Sequence, residues 1–399
     1  MKPIRVVGDE PGSDLRRHDA DDTGAAPVQP IWIGPLVIVG CLALWASIMW
    51  IAARSVQLDV LDTSTWGRWD TGWYRTIAEE GYSFGRCVGV PNRSIDDYCG
   101  AAGWFPGFPY TNRIIGSVTG ASVDTVGRWI AFLGLVVTLA TLWYGFLARR
   151  PLERAVPAMA LAAAFPSGVY FGAIFPVSIV TASVVGALAL VERRRFLAAG
   201  LVGAIGAVSY PSGVMVAAAA VAPLVMTAIG PISVRLRAAL SVALPPVAGY
   251  MLVLLNFERT VGRWDAWFKV QEGYGYGVTS PLSTIQRQLA SILGVDASPW
   301  IGVQTAFVLG VVAVCGFVVV RDRRSLTSGE VGCIAVIGML WFPPLVLGGD
   351  LSLYRAESLL VPAVIVVSRL GWQWVVALAV VAVPISFNMA QLFFANVLI

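Results

Sequence analysis

One histidine, His18, is present in 399 residues. Triads, metal centres and proton relays built on imidazole are therefore excluded from the rest of the chain. Any general base there must be Asp or Glu. Charge is scarce too: Asp, Glu, Lys and Arg make up 13%, against about 25% in soluble domains. Alternating apolar and polar segments of about ten residues are absent, which excludes a membrane β-barrel. No cleavable signal peptide is evident. No clear internal repeat is visible, which weighs against many secondary transporters.

What is abundant is apolar. Hydrophobic residues make up 57% of the chain and mean hydropathy is +0.73. They fall in runs of membrane-spanning length separated by short charged joints, the pattern of an all-α polytopic membrane protein. Eleven spans are predicted. The first covers 31–53 and the second 127–148. Segment 154–191 is short for two spans, which are expected to meet between Phe165-Pro166-Ser167-Gly168 and Phe175-Pro176. Spans follow at 196–208, 213–230, 238–256, 300–320, 330–347, 357–369 and 372–396. Short helices broken by Pro and Gly are tolerated only where protein covers them or they line a cavity.

Residues 1–30 are polar and read as a disordered cytoplasmic tail, followed by one transmembrane domain, 31–399. The joints Arg149-Arg150, Arg193 to Arg195, Arg235 with Arg237, and Arg321 to Arg324 read as cytoplasmic; none suggests a nucleic-acid surface. Loops 54–125 and 257–299 then lie outside, with the short loop 348–355. Ionisable residues cluster at span ends rather than inside spans, which favours surface chemistry over translocation.

Cys41, Cys315 and Cys333 lie in apolar runs and read as buried small residues. Cys87 and Cys99 lie in the first loop. A disulfide between them would stabilise that loop by roughly 3 kcal/mol in the chain-entropy model. No other Cys or His is near, so no metal site is expected.

The densest chemistry is Trp66-Gly67-Arg68-Trp69-Asp70-Thr71-Gly72-Trp73-Tyr74-Arg75-Thr76-Ile77-Ala78-Glu79-Glu80-Gly81-Tyr82. Helical spacing puts Trp66, Asp70, Trp73 or Tyr74, and Ile77 on one face of an amphipathic interfacial helix over 64–80. Thr63 or Ser64 would cap it and Gly81 would stop it. Partial desolvation suits a carboxylate such as Asp70 to deprotonating a hydroxyl, and aromatic faces stack on sugars. The same residues also fit an interfacial aromatic belt with a snorkelling Asp.

Arg68-Trp69-Asp70, Trp73-Tyr74, Ile77-Ala78 and Gly81-Tyr82, followed by Trp104-Phe105-Pro106-Gly107-Phe108-Pro109, resemble the first loop of the PIG-V family. These are the GPI mannosyltransferase II-like proteins among the GT-C glycosyltransferases. Phe165-Pro166-Ser167, Gln271, and Tyr354-Arg355 with Pro362 resemble further family segments in the same order. The resemblance implies a GT-C-like enzyme outside the cytoplasm. It would pass a sugar, mannose being the expected one, from a polyprenyl-phosphate donor to a hydroxyl of a glycolipid or glycan. Anomeric inversion and no cofactor are implied, with Asp70 as catalytic base. The only Asp-x-Asp, Asp19-Ala20-Asp21, lies in the tail, and no nucleotide-sugar site is expected.

A leaving phosphate needs a fixed cation. Arg355 is the first candidate and Arg68 the second, although Arg355 could instead pair with Asp350 or Glu357. Trp66, Trp69, Trp73, Tyr74, Tyr82, Phe105, Gln271 and Tyr354 are candidate substrate contacts, and Tyr274 or Tyr276 could also touch donor or acceptor. Asp265 reads as a loop carboxylate. The chain departs from the family at Phe175-Pro176-Val177-Ser178, at Ser209-Tyr210-Pro211-Ser212-Gly213 and at Tyr354-Arg355-Ala356. These departures bear on the acceptor and the donor sugar. A transporter or flippase of a lipid-linked substrate, or an inactive scaffold subunit, are the competing readings. Arginine outnumbers lysine heavily and Ala and Val abound, which points to a bacterial plasma membrane rather than the endoplasmic reticulum.

Overall fold

The computed structural model describes residues 30–91, 93–275, 277–294, 298–347 and 353–398. The tail with His18 and Asp19-Ala20-Asp21, Tyr276, and most of the loop holding Asp350 lie outside the described residues. The protein is an all-α polytopic membrane protein. Among the described residues six helices are long and apolar enough to cross a bilayer. They are α1 (Ile33–Ser55), α4 (Val123–Gly145, prolonged by a 3-10 turn to Arg149), α9 (Ile232–Val261), α12 (Pro299–Asp322), α13 (Ser328–Val346) and α16 (Trp372–Phe394). Between α1 and α4 come α2 (Thr71–Glu79) and α3 (Gly107–Thr119).

Shorter apolar helices fill the middle: α5 (Leu152–Ala163), α6 (Val177–Glu192), α7 (Phe196–Ser209) and α8 (Val221–Val225). α5 and α6 are joined by a fully buried bend, residues 164–176, with a 3-10 turn at Gly168–Phe171. Its backbone polar groups are tolerable at that depth because protein surrounds them. The remaining helices are α10 (Ala266–Gly273), α11 (Pro281–Ala290), α14 (Leu353–Ser358) and α15 (Val364–Val367).

Three predicted helices are broken. The expected 64–80 helix is a 3-10 turn, Thr63–Trp66, then α2, separated by Gly67 to Asp70. Trp69 there takes a left-handed backbone, φ +37°, which no helix interior accommodates. The cap of the 3-10 turn is Asp62, whose carboxylate accepts from Ser64 N at 2.9 Å, rather than Thr63 or Ser64. Gly81, at φ +95°, does end α2. The expected 213–230 span is a 3-10 helix, Pro211–Ala220, leading into α8. Gly213 rests directly on the Gly206 carbonyl of α7: a Cβ there would lie 2.0 Å from that oxygen. The expected 357–369 span is interrupted near Pro362, between α14 and α15.

The core runs through the contacts of α1 with α16, α4 with α6, and α7 with α6 and α9. α4 links the two ends of the bundle. At its start Asp124 pairs with Arg75 of α2. At its other end Arg150, with Arg369, binds buried Glu330, which also completes a capping box with Thr327 at the start of α13. The two polar loops gather at the first end, where Gln271 Nε2 donates to Gly103 O at 3.0 Å.

Candidate functional site

Asp70 occupies the cap position of α2. An Asp there ordinarily accepts a backbone N–H of its own helix, and Asp70 does not. Its Oδ2 instead accepts from Nη1 of Arg355, 285 residues away. The Arg355 side chain is 10% exposed and that of Asp70 20%. Among the described residues Arg355 pairs with Asp70 and not with Glu357, and the other expected partner, Asp350, lies outside them.

Aromatic rings wrap this pair. The guanidinium lies 5.0 Å from the Phe175 ring centre and 5.5 Å from that of Tyr170. Tyr170 stacks on Tyr354 at 6.2 Å and meets Phe393 edge-on at 5.6 Å. Trp69 also meets Phe393, at 5.3 Å, and Tyr74 meets Phe175 at 5.9 Å. Burial, with Asp70 adding, pushes the Tyr74 phenol well above its ordinary range, so it stays neutral. Tyr210 lies within the electrostatic reach of both Arg355 and Tyr74.

α14 carries Arg355 and is pinned from behind. Gln304 of α12 is fully buried. Its Nε2 donates to the Tyr354 carbonyl and to Glu357 Oε2, both at 2.9 Å. Its Oε1 accepts from the Ser167 hydroxyl at 2.6 Å. One amide thus fixes the backbone just before Arg355 and the carboxyl two residues after it. Arg355 Nε is buried and makes no hydrogen bond among the described residues.

A second group of rings sits one turn along α2. Trp73 stacks on Trp104 at 4.8 Å and 16°. Tyr274 meets Trp104 edge-on at 6.1 Å, and Arg93 covers the Tyr274 ring at 3.7 Å. Arg93 belongs to the loop closed by the Cys87–Cys99 disulfide, beside the antiparallel pairing of Gly85–Arg86 with Tyr98–Cys99. Tyr82 donates to the Trp104 carbonyl at 3.0 Å, and burial raises its phenol as well. Tyr82, Gln271 and Trp73 are half-buried and Tyr274 is exposed.

Three candidate contacts are corrected. Trp66 is 3% exposed, stacked on Trp45, and its Nε1 donates to Val60 O at 2.8 Å. Tyr74 and Phe105 are each 1% exposed. Phe105 is enclosed by Tyr250, Phe257 and Trp267. No ring face remains on these three for a sugar. Tyr354 is 2% exposed and lines the pair from within. Arg68 is turned toward α16, donating to Phe394 O at 3.3 Å, whereas Arg355 meets Asp70. Asp265 pairs with Arg263 at 2.8 Å, which holds its carboxyl below the usual range; a loop carboxylate is what the sequence indicated.

Sequence reading missed Tyr170, Phe175, Tyr210, Gln304 and Arg93. Gln304 did carry a signal, as a lone amide inside an apolar span. Tyr170 and Phe175 look like ordinary core aromatics in sequence, and nothing in one dimension ties them to Arg355.

A cavity of about 260 Å³ opens beside the Trp104-to-Pro109 segment, lined by Pro106, Gly107, Tyr110, Val208, Leu252, Val253 and Asn256. Leu252, on membrane-spanning α9, is 61% exposed. Neither a family model nor a curated protein matches the sequence. Among solved structures, the chain is similar to the Archaeoglobus fulgidus oligosaccharyltransferase. In its complex with Zn and sulfate the TM-score is 0.45, with 16% identity over 88% of this chain and 53% of that one. In the form tethered to an acceptor peptide through a disulfide the TM-score is again 0.45, with 14% identity over 88% and 55%. The chain thus spans about half the length of these structures.

Proposed function

We propose that the protein is a GT-C-type glycosyltransferase of the PIG-V kind. It takes a sugar, mannose in our reading, from a polyprenyl-phosphate donor and passes it to a glycolipid or glycan hydroxyl on the extracytoplasmic face of a bacterial plasma membrane. The observation that carries this reading is the Asp70–Arg355 pair, drawn from opposite ends of the chain into one aromatic pocket. A base and a fixed cation are the two groups that inverting transfer from a phosphate requires.

In this reading Asp70 takes the proton of the acceptor hydroxyl as its oxygen attacks the anomeric carbon. The bond from that carbon to the phosphate oxygen breaks, and the electron pair leaves on the phosphate, which Arg355 stabilises. Trp73 and Trp104, with Tyr274 and Arg93 at their edge, form the platform on which a sugar stacks. Gln271 joins the two loops that build it. The cavity at Pro106 and Leu252 takes the first isoprene units of the donor.

The test is transfer of radiolabelled sugar from polyprenyl-phosphate-mannose into envelope lipid and glycan, in membranes with and without the chain. A new labelled product only where the chain is present supports the reading. No product with any polyprenyl-phosphate hexose turns the weight to a flippase or a scaffold.

A further inference from the structure

In-line displacement places the base and the leaving phosphate on opposite faces of the sugar carbon. In the structure Asp70 and the phosphate cation Arg355 are in direct contact. They cannot serve both roles in that arrangement. Resting on the function proposed above, we infer that the Asp70–Arg355 ion pair is a latch which the phosphate of the donor opens, so that the donor must bind before the base is free.

Three features support the latch. Asp70 keeps helical backbone angles at the start of α2, φ −59° and ψ −18°, and makes no cap bond; its carboxylate reaches across the pocket to Arg355. Arg355 gives Asp70 the Nη1 group of its guanidinium. A phosphate meeting that guanidinium end-on takes both Nη groups, the one now on Asp70 included, a bidentate contact that one carboxylate oxygen does not supply. Finally, Gln304 fixes the backbone just before Arg355 and the Glu357 carboxyl just after it, while Asp70 follows the left-handed Trp69 in the break before α2. The carboxylate, not the arginine, is the part placed to move.

The latch predicts competition. Phosphate and Asp70 vie for one guanidinium, so removing the carboxylate strengthens phosphate binding. The experiment is calorimetric titration of the full chain, in phosphatidylcholine nanodiscs, with geranyl phosphate and separately with inorganic phosphate. Asp70→Asn should bind geranyl phosphate about tenfold more tightly than wild type, and Asp70→Ser should do the same if the Asn variant folds poorly. In the Arg355→Gln background binding weakens, and the gain from Asp70→Asn disappears.

Equal affinity of wild type and both Asp70 variants overturns the latch while leaving the transferase reading intact. A gain that persists without Arg355 also overturns it, because simple repulsion between Asp70 and phosphate would then explain the effect. Inorganic phosphate should follow the same order of variants at weaker affinity. If it binds as tightly as geranyl phosphate, the latch stands but the lipid donor does not. Binding of neither probe to any folded variant overturns both.

Discussion

Gln304 shows how much one side chain can decide. It is a fully buried amide that donates to two groups flanking Arg355 and accepts from the Ser167 hydroxyl of the buried bend. Gln304→Leu leaves the Tyr354 carbonyl and Glu357 without that partner, and each buried unsatisfied group costs about 1–3 kcal/mol. We predict a lowered unfolding temperature and loss of transfer, with partial recovery in Gln304→Asn. Trp73 is the opposite case, a half-buried ring whose loss leaves the core intact. Trp73→Ala should raise KM about tenfold, a 1.4 kcal/mol effect, at nearly unchanged stability; equal loss of stability and activity would mean that Trp73 only packs. Both residues are visible in the sequence, yet only Trp73 advertises itself. Asp70 and Arg355 were each nameable from their surroundings, but their partnership was not, because 285 residues separate them. Trp66 misled because an aromatic next to a charged motif looks the same whether it faces ligand or core.

Among the elements, those fixed by length and hydropathy were the most legible. α1, α4, α9, α12, α13 and α16 lie where long apolar runs lie. The broken ones were not, since their form follows from close packing. Gly213 against Gly206, and Gly200 against the Ser241 carbonyl, where a Cβ would come within 2.2 Å, pull the 3-10 helix and α9 onto α7. Gly213→Ala must displace backbone, and we predict a loss of roughly 1–3 kcal/mol by overpacking, read as a fall in thermal stability in detergent. The Cys87–Cys99 loop sits 12 residues wide over α10. Replacing both cysteines by Ser should lower stability by roughly 3 kcal/mol and raise KM through Arg93 and Tyr274, with kcat changed less.

The whole molecule separates its chemistry by end. Arg150, Glu330 and Arg369 tie the helices together at one end, and the Asp70 pocket with both loops occupies the other. In the orientation we propose, the Arg150–Glu330–Arg369 end faces the cytoplasm, as the positive-inside rule predicts. A cysteine at Glu272 should therefore react with an impermeant maleimide on intact cells, and one at Arg324 only after lysis; the reverse pattern would place the pocket inside. The three free native cysteines are buried and leave that readout clean.

The most direct test is sugar transfer from polyprenyl-phosphate-mannose by wild type and Asp70→Asn at matched expression in membranes. Loss of a general base should lower the rate by roughly 10²–10⁴-fold while the variant remains folded and still binds geranyl phosphate. Equal transfer by the two proteins would contradict the assignment of Asp70, and with it the role given to the pair it forms with Arg355.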